Sequence, residues 1–411
     1  MSEWSKVKLG DLADEVTMGP FGSDIKRENF VSMGTPVVRG LNLNYGKYVG
    51  GEFVYLSEEK KHQLRKAIAT PGQLVFTHRG TIGQVALVPK TLQEVIVSQS
   101  QLRLKLKPNV NSEFVFYFLQ SEIGRYELLK HSAQVGVPSI ASPTKAIRDI
   151  DLPLPSLPIQ TRIAEILGAL DEKIELNRQM SRTLEEMART LFRRWFVEFE
   201  FPDENGEPYK SAGGAMVDSE MGEIPQGWEV TKFGKEFTIT MGQSPPGSTY
   251  NELEEGLPFF QGRADFGTNF PLKRIYCSEP KRTAERGSSL LSVRAPVGDI
   301  NIALESCCIG RGLAALAHSY QSYGHFLLKS NAEFIKSYNS AGTVFGAING
   351  NQLADIQIVH PRNEVAEGYE AYAFIEQLER LFIESQTLST LRDTLLPKLM
   401  SGQIDVSGVP L

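Results

Sequence analysis

The feature that most constrains this chain is that it contains itself twice. Trp4-Ser-Lys-Val-Lys8-Leu9-Gly10 returns as Trp228-Glu-Val-Thr-Lys232-Phe233-Gly234, 224 residues later. Five more blocks recur in the same order. Thr17-Met18-Gly19 matches Thr240-Met241-Gly242, and Gly34-Thr-Pro36-Val-Val-Arg-Gly40 matches Gly256-Leu-Pro258-Phe-Phe-Gln-Gly262. Tyr55-Leu-Ser57-Glu58 matches Tyr276-Cys-Ser278-Glu279, and Arg79-Gly-Thr-Ile82-Gly83 matches Arg294-Ala-Pro-Val297-Gly298. Ile147-Arg-Asp149-Ile150-Asp-Leu152 closes the series with Leu353-Ala-Asp355-Ile356-Gln-Ile358, by then 206 residues apart. The offset drifts in one direction, as loop deletions in the second copy would make it do. A chain duplicated in this way folds into one unit used twice.

Each copy is punctuated by short apolar runs between Gly, Pro and Asn, the signal of strands. They are Thr35–Val38, Gln73–Thr77, Gln84–Val88 and Val95–Leu106, with Ser289–Val293 and Ile300–Ile309 in the second copy. Helical patterning is confined to Glu113–Lys130 and Tyr323–Tyr338. Each copy therefore reads as a strand-rich α/β domain.

Each copy leads into a long helical stretch. After Pro153-Leu-Pro-Ser-Leu-Pro158, apolar or small residues recur at spacings of four and three: Ile163, Leu167, Leu170, Ile174, Asn177, Ser181, Leu184, Ala188, Leu191 and Trp195. That is the seam spacing of a coiled coil. After Pro361 it returns as Phe374, Leu378, Leu381, Ser385, Leu388, Arg392, Leu395 and Leu399. A helix of about 38 residues is about 57 Å long and would overhang a domain of this size. The two helices are therefore expected to pack on each other. Between the first helix and the second domain, Pro202-Asp-Glu-Asn-Gly-Glu-Pro208 to Gly214 reads as a surface connector.

Chemistry is conspicuous by its absence. Gly310-Arg-Gly312-Leu-Ala-Ala315 fits the wording of a dinucleotide loop, but its counterpart is Ser98-Gln-Ser100 and no acidic residue stands at the ribose distance. No phosphate-binding G-x-x-x-x-G-K-[ST], no Asn- or Asp-Pro-Pro-Tyr and no H-E-x-x-H occurs, and three cysteines make neither a disulfide framework nor a zinc spacing. No apolar stretch approaches a membrane span, and Met1–Gly10 has no signal-peptide core, so a soluble cytoplasmic chain without contact to a membrane is expected.

The arrangement resembles the specificity (S) subunits of Type I restriction–modification systems. The sharpest blocks are Leu152-Pro-Leu-Pro-Ser-Leu-Pro-Ile-Gln160-Thr-Arg162-Ile163, Asp171-Glu-Lys-Ile174-Glu-Leu-Asn177 and Leu191-Phe-Arg-Arg-Trp195-Phe196, with Gly222-Glu-Ile-Pro225-Gln-Gly-Trp228 and Leu395-Leu-Pro-Lys-Leu-Met-Ser-Gly402. The second helix departs from the pattern: where the first has Gln160-x-Arg162, it has Ala366-Glu-Gly-Tyr369. The resemblance implies a mixed α/β (α+β) fold with target-recognition domains at 1–157 and 219–361. Long helices at 158–200 and 362–411 would form an antiparallel coiled coil, with a linker at 201–218. The interface would be carried by Ile163, Leu167, Leu170, Ile174, Leu184, Leu191, Phe374, Leu378, Leu381, Leu388 and Leu395.

The same resemblance implies a non-catalytic chain. Each domain would read half of a bipartite, asymmetric site on double-stranded DNA, and the helices would set the unread spacer. Two methylase subunits and the restriction motor-nuclease subunits would be partners, with S-adenosylmethionine, ATP and Mg on those partners and no cofactor or metal on this chain. The competing reading is a coiled-coil scaffold carrying two protein-binding modules.

A net charge of −6 speaks against a nucleic-acid binder until it is divided by segment. Residues 1–155 carry +4, residues 156–215 and 216–361 carry −3 each, and residues 362–411 carry −4. Only the first domain is basic. Base edges are read by forked and amide donors, Arg on guanine and Asn or Gln on adenine. Loop positions matched between the copies supply Ser23 in Gly19-Pro-Phe-Gly22-Ser23 with Gln243 and Ser244, and Arg39 and Asn42 with Gln261 and Arg263. They also supply Arg79 with Arg294, and Ser98, Gln99 and Gln101 with Gly310 and Arg311. Lys26, Arg27, Lys273 and Arg274 are candidate phosphate contacts. For each alone the plain alternative is a solvated or turn-capping side chain.

Overall fold

A computed structural model describes residues 4–22, 24–133, 136–339 and 346–408. It divides into two compact units, Met1–Leu176 with Ser385–Leu411, and Asn177–Glu384. Each unit contains one of the duplicated domains and a share of both long helices.

In the first unit a four-stranded antiparallel sheet runs in the order Ala13–Met18, Gln101–Leu106, Leu74–Thr77, Val85–Leu87. Beside it lies a five-stranded sheet in the order Phe30–Val31, Val54–Leu56, Thr35–Val38, Val95–Val97, Ile68–Ala69. Its single parallel pair sets Val37 opposite Ile96. A short ladder of Ser5–Lys8 on Asp151–Leu154 ties the two ends of the domain together.

The second unit repeats every one of these relations. Its four-stranded order is Thr238–Met241, Leu313–Ala317, Ser289–Ser292, Ile300–Ile302. Its five-stranded order is Tyr250–Asn251, Tyr276–Cys277, Leu257–Phe260, Cys307–Ile309, Thr283–Ala284. The one parallel pair sets Phe259 opposite Cys308, and Glu229–Lys232 closes the domain on Gln357–His360. Equal strand order, equal sense and a parallel pair at the same place carry the duplication from sequence to fold. The three cysteines are buried and free, filling apolar space in the second domain.

Four long segments break where continuity was expected. Val95–Leu106 splits into Val95–Val97 and Gln101–Leu106, and Ile300–Ile309 splits into Ile300–Ile302 and Cys307–Ile309. The stretch Glu113–Lys130 becomes two helices, Ser112–Gln120 and Glu122–Leu129, because the Ser121 hydroxyl accepts from Gly124 N and starts a new helix. In the second domain Gln321–Ser330 and Ala332–Lys336 divide at Asn331.

The first long helix, Leu157–Phe196, has 40 residues, and all ten seam positions are buried or half-buried. The second is shorter than expected. Asn363–Glu370 forms its own helix, Ala373 takes a left-handed conformation (φ 51°), and the long helix is Phe374–Met400. Within the first unit, Ile163 and Leu167 share a core with Leu399 and Met400, and Arg392 Nη1 donates to Asp171 Oδ1 at 2.7 Å. Within the second, Ala188, Phe192 and Trp195 share a core with Phe374 and Leu378, and Tyr369 Oη donates to the Ala188 carbonyl at 2.8 Å. The early part of one helix meets the late part of the other in both units, so the pairing is antiparallel. The same cores include Phe114 and Leu152 in one unit and Phe233 and Phe326 in the other. The helices therefore pack on each other and are rooted in the domains at the same time.

The connector lies at the surface from Pro202 to Gly214 and is anchored just before that stretch. Phe201 is 1% exposed and stacks against Tyr209 and Trp228, at 4.6 and 5.0 Å between ring centres. Met216–Ser219 then pairs with Gly222–Pro225 in a hairpin that leads into the second domain.

Candidate nucleic-acid interface

The loops that carry the candidate readers come together at the corresponding place in each domain. In the first, Gly19 N donates to the Gln101 carbonyl, Ser98 N to the Val38 carbonyl and His78 N to the Ser100 carbonyl, at 2.9, 3.0 and 3.0 Å. These bonds join the loops around residues 19–22, 38–42, 78–80 and 98–101. A Cβ on Gly19 would come within 1.9 Å of the Ser98 carbonyl oxygen, so glycine is required for the approach. His78 is buried, which pushes its imidazole below the usual range, and its Nε2 lies 3.2 Å from the Gln99 carbonyl oxygen. The buried ring supports the loop that carries Gln99.

The second domain repeats the junction with the matching bonds, beginning with Gly242 N donating to the Leu313 carbonyl at 2.9 Å. Gln243 N donates to the Ile309 carbonyl at 3.0 Å, Gly310 N to Phe260 at 2.9 Å and Val293 N to Gly312 at 2.9 Å. Arg311 N donates to Ser244 Oγ at 3.2 Å. Gly310 and Gly312 lie between the strands Cys307–Ile309 and Leu313–Ala317, not before a helix, which removes the dinucleotide-loop reading. The glycine at 312 has a packing reason instead: a Cβ there would meet the Gln261 carbonyl oxygen at 2.5 Å.

The candidate side chains divide into free and engaged groups. Arg79, Gln99, Gln243, Gln261, Arg294 and Arg311 are exposed, as are Lys26 and Arg27, while Arg39 and Ser244 are half-buried. Asn42 and Gln101 are each 1% exposed and present nothing outward. Asn42 Oδ1 accepts from Arg39 N, and Nδ2 donates to the Gly50 and Glu52 carbonyls. Gln101 bonds Ser98 and Thr77. Both shape the loops from inside and are withdrawn as base contacts. Arg263 is paired with Asp299, Lys273 with Glu305 and Arg274 with Asp265, so these cations are exposed but already neutralised. Ser23 lies outside the described residues.

One contributor escaped the sequence reading. Arg79 bridges Ser139, with Gly80 N donating to the Pro138 carbonyl at 2.9 Å. Arg294 likewise bridges Ala347, with Ala295 N donating to the Gly346 carbonyl at 3.1 Å. A later segment therefore borders the arginine loop in both domains. Its signal was Ser132-Ala-Gln-Val-Gly-Val-Pro-Ser-Ile140 against Ser340-Ala-Gly-Thr-Val-Phe-Gly-Ala-Ile348, a match at an offset of 208.

The family block at the start of the first helix has a structural duty. Gln160 is 2% exposed; its Oε1 accepts from Asn111 N at 3.0 Å and its Nε2 donates to the Pro155 carbonyl at 2.9 Å. It steadies the first turn of Ser112–Gln120. In the second domain, which has no such glutamine, Glu370 Oε2 accepts from Ser322 N and Tyr323 N at 2.8 and 3.1 Å and supports the first turn of Gln321–Ser330. The departure in sequence is thus made good by another residue.

Elsewhere in the second domain, Glu236 Oε2 accepts a hydrogen bond from His360 Nδ1 at 2.9 Å, with His318 Nε2 at 3.7 Å. Burial pushes this carboxyl up, but the two imidazoles overcome it and hold it at about 2. Among the described residues no group of three His, Cys, Asp or Glu side chains could hold a metal, and no helix is long and apolar enough to cross a membrane.

Comparison with known proteins gives a consistent set. Residues 1–186 match the Type I restriction modification DNA specificity domain. A Methanocaldococcus jannaschii protein named for the MjaX type I restriction enzyme specificity subunit is 28% identical over 416 residues, covering 98% of this chain and 94% of the relative. The HindI specificity subunit of Haemophilus influenzae is 23% identical over 488 residues, covering 98% of this chain and all (100%) of that one. Among solved structures, the Type-I restriction-modification S subunit from M. genitalium aligns over 96% of both chains with a TM-score of 0.63 at 16% identity, a likeness of fold.

Proposed function

Because this chain belongs to the family of Type I restriction–modification specificity subunits, we propose that it is the non-catalytic DNA-reading component of such a complex. Each domain reads one half of a bipartite site, and the antiparallel helices set the spacer between the halves. The chain docks two methylase subunits and, through the assembly, the restriction subunits; S-adenosylmethionine, ATP and Mg belong to those partners, in the cytoplasm.

The observation that carries this reading is the doubled junction of loops. One fold brings the same four loops together twice, but arms them differently: Arg39, Arg79 and Gln99 in one copy, Gln243, Gln261, Arg294 and Arg311 in the other. Two like scaffolds with unlike donors suit two half-sites of unlike sequence. Only the first domain is basic, so affinity for phosphates must be supplemented by partner subunits.

The test is to assemble the chain with its methylase subunits and map methylated adenines over a genome. The expected result is a split asymmetric motif with a fixed gap, and a longer gap when one heptad is inserted in each helix. A continuous motif rejects the two-reader arrangement, and an unchanged gap rejects the ruler. No sequence-dependent retention of DNA by the assembled complex favours the protein-binding scaffold instead.

A further inference from the structure

Phe21 is 86% exposed, an unusual place for a ring of that size. It sits on a braced turn. Pro20 restricts the backbone before it, and Asp24 N donates to the Phe21 carbonyl at 2.9 Å. Gly22 is pressed so closely on Gln99 that a Cβ there would meet Gln99 Oε1 at 2.1 Å. The turn therefore holds the ring outward beside an exposed amide of the candidate interface, in the basic domain, with Lys26 and Arg27 exposed five and six residues further on.

An outward aromatic ring among cations and amides is the chemistry of a wedge that enters a base step, where it exchanges base–base stacking for ring–base stacking. We propose that Phe21 is such a wedge for the half-site read by the first domain, an inference that rests on the DNA-reading function above. At the matching turn of the second domain, the described residues include no exposed aromatic ring. That turn is Gln243-Ser-Pro-Pro-Gly247, and the nearby Tyr250 is occupied, stacked on Phe259 at 4.6 Å with its hydroxyl donated to Pro245. Distortion of the target should therefore be one-sided.

The experiment uses the full chain assembled with its methylase subunits, without S-adenosylmethionine, and target duplexes carrying one 2-aminopurine moved stepwise through both half-sites. The expected result is a several-fold rise in fluorescence at one step of a single half-site. Phe21→Ala should abolish the rise, weaken retention of the duplex about tenfold and leave Tm unchanged, while Phe21→Trp keeps the rise. Retention of the duplex without any Phe21-dependent signal overturns the wedge alone. Loss of the methylase subunits from the Phe21→Ala complex on gel filtration also overturns it, by placing the ring against protein. Failure of the unsubstituted complex to retain its target overturns the DNA-reading function, and the wedge with it.

Discussion

Asn177 Nδ2 donates to Glu384 Oε2 at 2.8 Å across the seam of the two long helices. Asn177 is fully buried, and its Oδ1 has no hydrogen-bond partner. A buried amide only half satisfied costs stability, yet a polar residue at one seam position penalises every register that would leave it facing an apolar side chain. Asn177→Leu is expected to hold or raise Tm, because it removes the unsatisfied oxygen. Asn177→Asp sets a buried carboxylate beside the exposed carboxylate of Glu384 and should cost about 2–3 kcal/mol at neutral pH, with partial recovery on acidification. Thermal melts of the two variants at pH 5 and pH 7 check both signs.

Asp171 serves two partners at once. Its Oδ2 accepts from Tyr117 Oη at 2.8 Å and its Oδ1 from Arg392 Nη1 at 2.7 Å. Burial, together with the neighbouring carboxylate, holds the Tyr117 phenol far above its usual range, so it stays a donor at every pH of interest. Asp171→Ala leaves the hydroxyl of the buried Tyr117 without its acceptor and the half-buried Arg392 guanidinium with only Asp393 and Ser389. The expected loss is about 2–4 kcal/mol by urea denaturation, well above that for Asp393→Ala, whose carboxylate lies at the surface. Equal losses would show that the first carboxylate is not the organising group.

How much of this was legible in the sequence depends on the physics of each residue. The seam could be read because helical periodicity survives divergence: every position from Ile163 to Trp195 selects for burial by its spacing alone. The break at Ala373 could not, since a left-handed alanine leaves no compositional mark. Asn42 and Gln101 passed as base readers because an amide that satisfies the protein's own backbone is the same residue type as one that faces a base. Phe201 was hidden among turn residues and acidic side chains, although its ring closes an aromatic stack. The segment beside Arg79 and Arg294 shares only Ser, Ala and Ile at matched places, too little to rank beside the six longer blocks.

The Glu236 cluster makes stability depend on pH in both directions. Its carboxyl, held at about 2, contributes stability above its unfolded value near 4.5, and that contribution is lost as pH falls toward 2. The His360 imidazole, raised mainly by its hydrogen bond to Glu236, contributes below its unfolded value near 6.5, and loses that contribution as pH rises through its folded value. The stability difference between the unsubstituted chain and Glu236→Gln should therefore peak between about pH 5 and 6, at about 1–3 kcal/mol, and shrink on either side. Denaturant titrations from pH 3 to pH 8 measure it, and a flat difference would remove the charge coupling.

Exposed arginines on equivalent loops should separate the two half-sites. Arg79 and Arg294 occupy the same block of the duplication and are both exposed, while Arg311 extends from the loop held by Ser244. A forked contact to a base is worth about 1–3 kcal/mol of discrimination, so each alanine variant should relax one position about tenfold or more. Arg79→Ala should blur only the half-site of the first domain, and Arg294→Ala or Arg311→Ala only that of the second. Lys26→Ala, a phosphate contact, should weaken methylation evenly across sequences and flatten its dependence on salt. Methylome maps of the four variants, assembled with the same methylase subunits, distinguish these outcomes. Loss spread equally over both halves from any single arginine would mean that the two domains do not read independently.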